Sequence, residues 1–152
     1  MVVTMDPLSP AARSALMSRI RSTNSRGECA LRSLLHRAGF RFRLHRRDLP
    51  GTPDIVLPKY SAVVFMHGCF WHQHPGCRSA RIPHTNTDFW ARKLNANVVR
   101  FERQRKALRD AGWRVFVVWE CELRQPELVE RRLVRQLKSD GKHDTKRSRP
   151  SS

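Results

Sequence analysis

Val63-Val-Phe-Met-His-Gly-Cys-Phe-Trp-His-Gln-His-Pro-Gly-Cys77 is the stretch on which the reading of the chain turns. An apolar run of strand character, Ala62 to Met66, ends in three histidines, two cysteines and a Phe70-Trp71 pair. Packing alone gives no reason for that chemistry, because polar side chains resist burial without partners. The spacing Cys69-x4-His74-x2-Cys77 presents two soft thiolates and an imidazole, and Cys121, at the end of a later apolar run, can arrive as a fourth donor. Zinc takes four such donors in a tetrahedron, and a set filled by protein leaves no position for water, so the expected role is structural. His72 or His67 can replace His74 in that set, and spacing leaves the choice open.

Upstream, the turn Leu49-Pro-Gly-Thr-Pro53 opens onto Asp54 and the apolar Ile55-Val-Leu57, and Pro58 to Ser61 turns the chain back into Ala62. Strands joined so tightly form a hairpin, which sets Asp54 beside Met66 and His67. A carboxylate in so apolar a run needs something positive to meet it. Magnesium fits, since it asks for only one or two protein oxygens and takes the rest from water and phosphate. His72, with an ordinary pKa near neutrality, would deprotonate a water beside that ion, and His67 would stabilise charge on a phosphate or share the acid-base work. Glu28, at the head of an amphipathic helix, either stabilises that terminus or orients a metal-bound water or His72. Phe70 and Trp71 have the shape of a wedge for a base step. Trp90 lies on the inner stripe of its helix and reads first as core.

The remaining elements follow from periodicity and breakers. Helices are expected from Ala11 to Arg21 after Pro10, from Glu28 to Ala38 before Gly39, from Thr87 to Ala111 before Gly112, and from Pro126 onward. Phe40 to Leu44 alternates as a half-buried strand. Trp113 to Trp119 reads as the best buried strand and delivers Glu120 and Cys121 at its end. Cys29 reads as a small core residue. A hairpin plus a strand arriving through a helix makes a single α/β domain with a mixed sheet flanked by helices. The expected divisions are a basic arm or helix over 1–25, the domain over 26–138, and a disordered basic tail over 139–152.

Charge points to the partner. Thirty Lys and Arg against 13 Asp and Glu give the 152 residues a net +17. From Lys138 onward five basic and two acidic residues leave only +3, so +14 lies on the rest. Such an excess is best tolerated against a polyanion, and nucleic acid comes first. No run of about 18 apolar residues supports a membrane partner. The first ten residues lack a signal-peptide pattern, so a reducing, cytoplasmic setting is expected, one in which cysteines bind metal rather than pair.

Taken together, Arg13-Ser14-x2-Met17-x2-Ile20, Glu28, Pro50-Gly51-x-Pro53-Asp54, His67-Gly-Cys-Phe-Trp-His72, Thr87-Asp-Phe-Trp90, Asn97 and Gly112-Trp-Arg-Val115 to Trp119-Glu-Cys121 resemble the very short patch repair (Vsr) DNA mismatch endonucleases. The resemblance spans roughly residues 10 to 138. It implies a restriction-endonuclease-like fold and a monomer at the nucleoid that nicks one strand of duplex DNA beside the T of a T:G mispair. By the same resemblance Asp54 and the Met66 carbonyl bind magnesium, His72 is the general base, and His67 and Glu28 assist. Cys69, His74, Cys77 and Cys121 hold zinc. Phe70, Trp71 and Trp90 wedge into the base stack, and Asn97, Arg13, Met17 and Arg19 contact the DNA. Met66 stands where many relatives carry Thr, and the His72 to Cys77 spacing is one residue longer than in the histidine-rich form of the motif. With Phe65 and His67 where wider relatives carry a second acid and a lysine, magnesium binding without DNA is expected to be weak. Two other readings compete: a zinc-stabilised DNA-binding module without activity, and a sequence-specific restriction-type nuclease.

Overall fold

The structure, a computed structural model, describes residues 25–139; the expected basic helix with Arg13, Met17 and Arg19, and the tail, lie outside the described residues. Helix α1 (Arg26–Arg37) forms because Leu31, Leu34 and Leu35 recur on one face, all buried. Ser25 caps it, its Oγ accepting from the Glu28 N–H at 3.2 Å, and Gly39 ends it at φ +88°, a conformation that favours glycine. Strands β1 (Arg43–Leu44), β2 (Ile55–Leu57) and β3 (Ala62–His67) follow, then helix α2 (Thr87–Asp110), strand β4 (Arg114–Trp119) and helix α3 (Pro126–Ser139).

The sheet is mixed, in the order β1-β2-β3-β4. β2 and β3 form the antiparallel hairpin, with Val56 opposite Val63, and α2 carries the chain across to β4, which runs parallel to β3. Alternation along the strands divides the interior. Ile55, Leu57, Ala62 and Val64 face α1 and α3 in a core with Leu31, Leu35, Leu133 and Leu137. Val56, Val63 and Phe65 face α2, meeting Leu108 and the half-buried Phe101 and Trp113. Helices thus cover both faces, as a parallel crossover requires.

Three expectations change. The first strand shrinks to Arg43–Leu44, both exposed, since only those residues find partners on β2, while Phe40 turns into the core. Cys29 is exposed, because the buried stripe of α1 runs through Leu31, Leu34 and Leu35 on the other side. β4 is the sheet edge among the described residues and only Val118 in it is fully enclosed; the most buried strands are β2 and β3, which have neighbours on both sides. Apolar content reads burial on the two faces, but a strand's place in the sheet order is a tertiary property.

Arg114 ties three elements together. Its guanidinium donates to the Tyr60 carbonyl at the β2–β3 turn (2.8 Å) and to the Gln136 and Leu137 carbonyls at the end of α3 (3.0 and 3.2 Å). A cation there also meets the negative end of the helix dipole. Arg114→Met should lower stability by about 2 kcal/mol, because carbonyls in a part-buried site lose charged donors; urea unfolding followed by circular dichroism measures it.

Candidate active site

The parallel register sets His67 beside Trp119, so the loops leaving β3 and β4 start side by side. Cys69 lies two residues past β3 and Cys121 two past β4, and the chain between Cys69 and Cys77 curls back through the His74 N–H to Cys69 carbonyl bond (2.9 Å) and the Cys77 N–H to His74 carbonyl bond (3.3 Å). Gln73, in the left-handed region at φ +50°, closes the curl by donating to the Phe70 and Ala80 carbonyls. The outcome is that donor atoms of Cys69, His74, Cys77 and Cys121 lie within 4.8 Å of one another. His74 turns Nδ1 to the Cys121 sulfur at 3.4 Å and stacks on the Trp119 ring at 4.2 Å, which fixes its plane. Burial pushes the Cys69 thiol up to about 12, whereas the Ser79 backbone N–H leads the groups that lower Cys77. A cation would hold all three sulfurs as thiolates. Glu122 braces the turn from behind: it accepts the Trp119 N–H at 3.1 Å and two bonds from Arg132 on α3.

His72 is not among those donors. Its ring lies flat on His67, centroids 3.7 Å apart and planes 5° apart, and both rings meet the edge or face of Phe101. His67 is 3% exposed, and burial, followed by repulsion from His72, drives its pKa down to about 3. The neutral form of His67 is thereby favoured, and its ring lies stacked on His72. Burial, then Arg100, also lowers His72, keeping it in the proton-accepting form. His72 Nδ1 is buried with no hydrogen-bond partner among the described residues.

Asp54 sits just before β2, where the hairpin brings it to the far end of β3; its Oδ2 accepts the Met66 N–H at 2.7 Å. Burial raises its pKa to about 6, the Met66 N–H opposes that rise and Glu28 adds to it. Glu28 reaches the site from the first turn of α1, where Gly27 lies against the Met66 side chain of β3. Between the two carboxylates lies His45, which the sequence reading did not single out. Its Nε2 is 3.2 Å from Glu28 and 3.9 Å from Asp54. Arg32 also contacts Glu28, at 3.3 Å. Two carboxylates this close, one of them penalised by burial, suit a divalent cation, whose remaining positions water or phosphate would fill.

A cleft of about 710 Å³ opens beside these groups, with Glu28, Met66, Trp71, His72, Asn97 and Arg100 among its walls. At its rim Phe70, Trp71 and Trp90 pack edge to face, with centroids 5.1 to 6.1 Å apart. Trp90 belongs to this half-exposed cluster, not to either core. Phe89, 54% exposed, extends it, and Lys93 holds its ammonium 5.9 Å above Trp71 and 5.8 Å above Phe89. Asn97 donates to the Trp71 carbonyl at 3.2 Å and so steadies the rim. Lys93 and Phe89 were also missed; their signal is position, one turn after and one residue before Trp90 on the same helix, which marks nothing until the Trp71 loop is seen to lie against it.

A mixed sheet with a carboxylate at the hairpin, histidines at the next strand end and a cation-lined cleft defines a hydrolytic nuclease of the restriction-endonuclease-like class. Comparison with known proteins agrees. The family model for the DNA mismatch endonuclease Vsr matches residues 5–78. The chain is 55% identical over 128 residues to the type II nicking enzyme V.XorIIP of Xanthomonas oryzae pv. oryzae, covering 84% of this chain and 93% of that one. It is 42% identical over 130 residues to V.NmeAIP of Neisseria meningitidis, covering 86% and 92%, and 44% identical over 117 residues to the DNA mismatch endonuclease Vsr of Escherichia coli, covering 77% and 74%. The chain belongs to the Vsr family of DNA mismatch endonucleases and is an endodeoxyribonuclease.

Two outcomes test this geometry. Elemental analysis of the purified protein should find a transition metal that is lost in His74→Ala and Cys121→Ser and kept in His72→Ala. Asp54 has its folded pKa raised to about 6 from 3.8, so its ionisation penalises the fold above that pH and the penalty fades as pH falls toward 3.8. With no divalent cation added, Asp54→Asn should stabilise the protein by about 2 to 3 kcal/mol at pH 7.5 and by much less at pH 4.5, measured by thermal melts.

Proposed function

We propose that this endonuclease nicks one strand of duplex DNA beside the T of a T:G mispair, the product of 5-methylcytosine deamination, using magnesium. The observation that carries the reading is the placement of the Phe70–Trp71–Trp90 cluster on the rim of the cleft that holds His72. A mispaired step is cheaper to unstack than a paired one, and aromatic side chains entering it widen the step and kink the duplex. Such a wedge selects a lesion and presents the adjacent phosphate on one strand to the cleft. A single nick at an asymmetric lesion needs one active site, in keeping with a monomer.

In this reading Asp54 and the Met66 carbonyl would hold magnesium, with Glu28 beside them. The ion would supply neutralisation of charge on the scissile phosphate and a more acidic water. His72, kept neutral by burial, accepts the proton of the water whose oxygen attacks phosphorus, and His67 supports its ring by stacking. The bond from phosphorus to the leaving sugar oxygen breaks, and that oxygen takes a proton from solvent. Zinc fills the Cys69, His74, Cys77 and Cys121 set, whose chemistry it suits. Lys93 and Arg100 line the cleft, where they would meet phosphates, and Asn97 the bases. Arg13, Met17 and Arg19 of the arm over 1–25 would clasp the duplex. The net +17 supports so wide a grip, and a protein with that charge would reside on the nucleoid in the cytoplasm.

The test is a strand-labelled duplex with T:G or T:A at one position, incubated with magnesium. The expected result is a single nick on the T strand of the mismatch only, no product with Asp54→Ala, and a rate lowered about 10²–10⁴-fold by His72→Ala. Phe70→Ala with Trp71→Ala should erase the preference for T:G. Binding without cleavage by the wild type would make the protein a DNA-binding module, and equal cutting of both strands of the paired duplex would make it a restriction-type nuclease.

A further inference from the structure

We propose that His45 joins Glu28 and Asp54 to form a three-donor site that takes a transition-series divalent cation, of which Mn2+ is the type, before DNA arrives. The proposal rests on the reading of Asp54 as a cation ligand and adds to it a nitrogen donor and a metal preference.

The three donors come from separate elements that converge for identifiable reasons. Leu44 pairs with Ile55, and the His45 N–H donates to the Asp54 carbonyl at 3.4 Å, so the two side chains leave neighbouring backbone. Glu28 arrives in the first turn of α1, which Leu31, Leu34 and Leu35 hold in the core against the sheet. The donor atoms lie within 4.8 Å of one another, with His45 Nε2 at 3.2 Å from Glu28 Oε2 and 3.9 Å from Asp54 Oδ1. Adjacent ligands of an octahedral ion bound at about 2.1 Å stand about 3 Å apart. The set therefore needs only small side-chain shifts to close on one ion, and the remaining positions stay open to water and a DNA phosphate.

The donor chemistry decides which ion. Two carboxylates alone suit magnesium as well as manganese, but imidazole is a borderline ligand that favours the transition series, and magnesium gains little from nitrogen. Among the described residues the charged groups in contact at the site include Glu28, Asp54 and Arg32, the last 3.3 Å from Glu28. A different role for the same geometry is an imidazolium that bridges the two carboxylates and occupies the place of a cation. The two roles answer oppositely to removal of the ring: a ligand lost weakens cation binding, whereas a competitor lost strengthens it.

The experiment uses the full chain with its thiol-site metal in place and no DNA. Mn2+ is titrated in, free aquo-ion is followed by electron paramagnetic resonance, and electron-nuclear double resonance is recorded on the bound ion. The expected result is one Mn2+ per chain with nitrogen-14 coupling, an affinity that falls about 10- to 100-fold in His45→Gln, and a Mg2+ affinity, read by competition, that falls much less. His45→Glu, which returns an oxygen donor, should keep the ion and lose the nitrogen coupling, so loss of binding in His45→Gln through misfolding is distinguished. Unchanged or tighter Mn2+ binding by His45→Gln, absent nitrogen coupling, or no Mn2+ uptake by the wild type overturns the proposal. If Asp54→Asn retains the ion, the failure lies instead with the assignment of Asp54 as a cation ligand.

Discussion

The parallel pairing of β3 with β4 is the constraint on which the rest of this molecule depends. It aligns His67 with Trp119, and from that alignment both thiol-bearing loops leave the sheet at the same height. The curl from Cys69 to Cys77 returns to Cys121, and Trp119 supplies the flat surface on which His74 lies. A slip of one residue would move Phe65 and His67 to the opposite face and separate the sulfurs, since strand side chains alternate with a period of two. The pairing is held from both sides, by Leu108 and Phe101 of α2 and by α1 and α3 packed on Val64 and Val118. The Glu122–Arg132 pair fastens the β4 end to α3, so the donor set sits on packed elements rather than on a free loop.

Electrostatic strain is concentrated at the same end of the hairpin, where β2 begins beside Met66. Asp54 is held in a part-buried position beside Glu28, and the fold tolerates that because one N–H from Met66 and the neighbouring His45 and Arg32 partly compensate. An arrangement that disfavours its own ionised state is one that gains from a cation. The histidine pair works in the opposite sense. Burial keeps both rings neutral, which removes mutual repulsion from a stack only 3.7 Å deep and leaves His72 able to accept a proton. Trp71 and Lys93 line the same cleft as His72, and Trp71 adjoins His72 in one short loop.

Local chemistry was legible in the sequence where one residue type in one spacing has few uses. The cysteines of Cys69-x4-His74-x2-Cys77 gather with Cys121, Asp54 stands beside Met66, and the helix stops fall at Gly39 and Gly112, as that reading expects. The hairpin and the crossover through α2 followed from tight turns and helical period, and so did the mixed sheet. What spacing could not settle was the histidine that joins the cysteines, because His67, His72 and His74 lie within reach of one loop. Backbone curl and the Trp119 stack bring His74 to the sulfurs and leave His72 on His67.

The sequence by itself determined the class of elements, the thiol donors and the basic character, because these depend on side-chain type and near neighbours. Only the tertiary structure decided that β4 is an edge among the described residues, that Cys29 faces outward, that Trp90 belongs to a rim and that burial favours the neutral form of His67. It alone brought His45 between Glu28 and Asp54, 17 residues from the first of them. The physical reason is common to all of these: burial, sheet order and the field at a side chain are sums over groups distant in sequence, and no local pattern carries them.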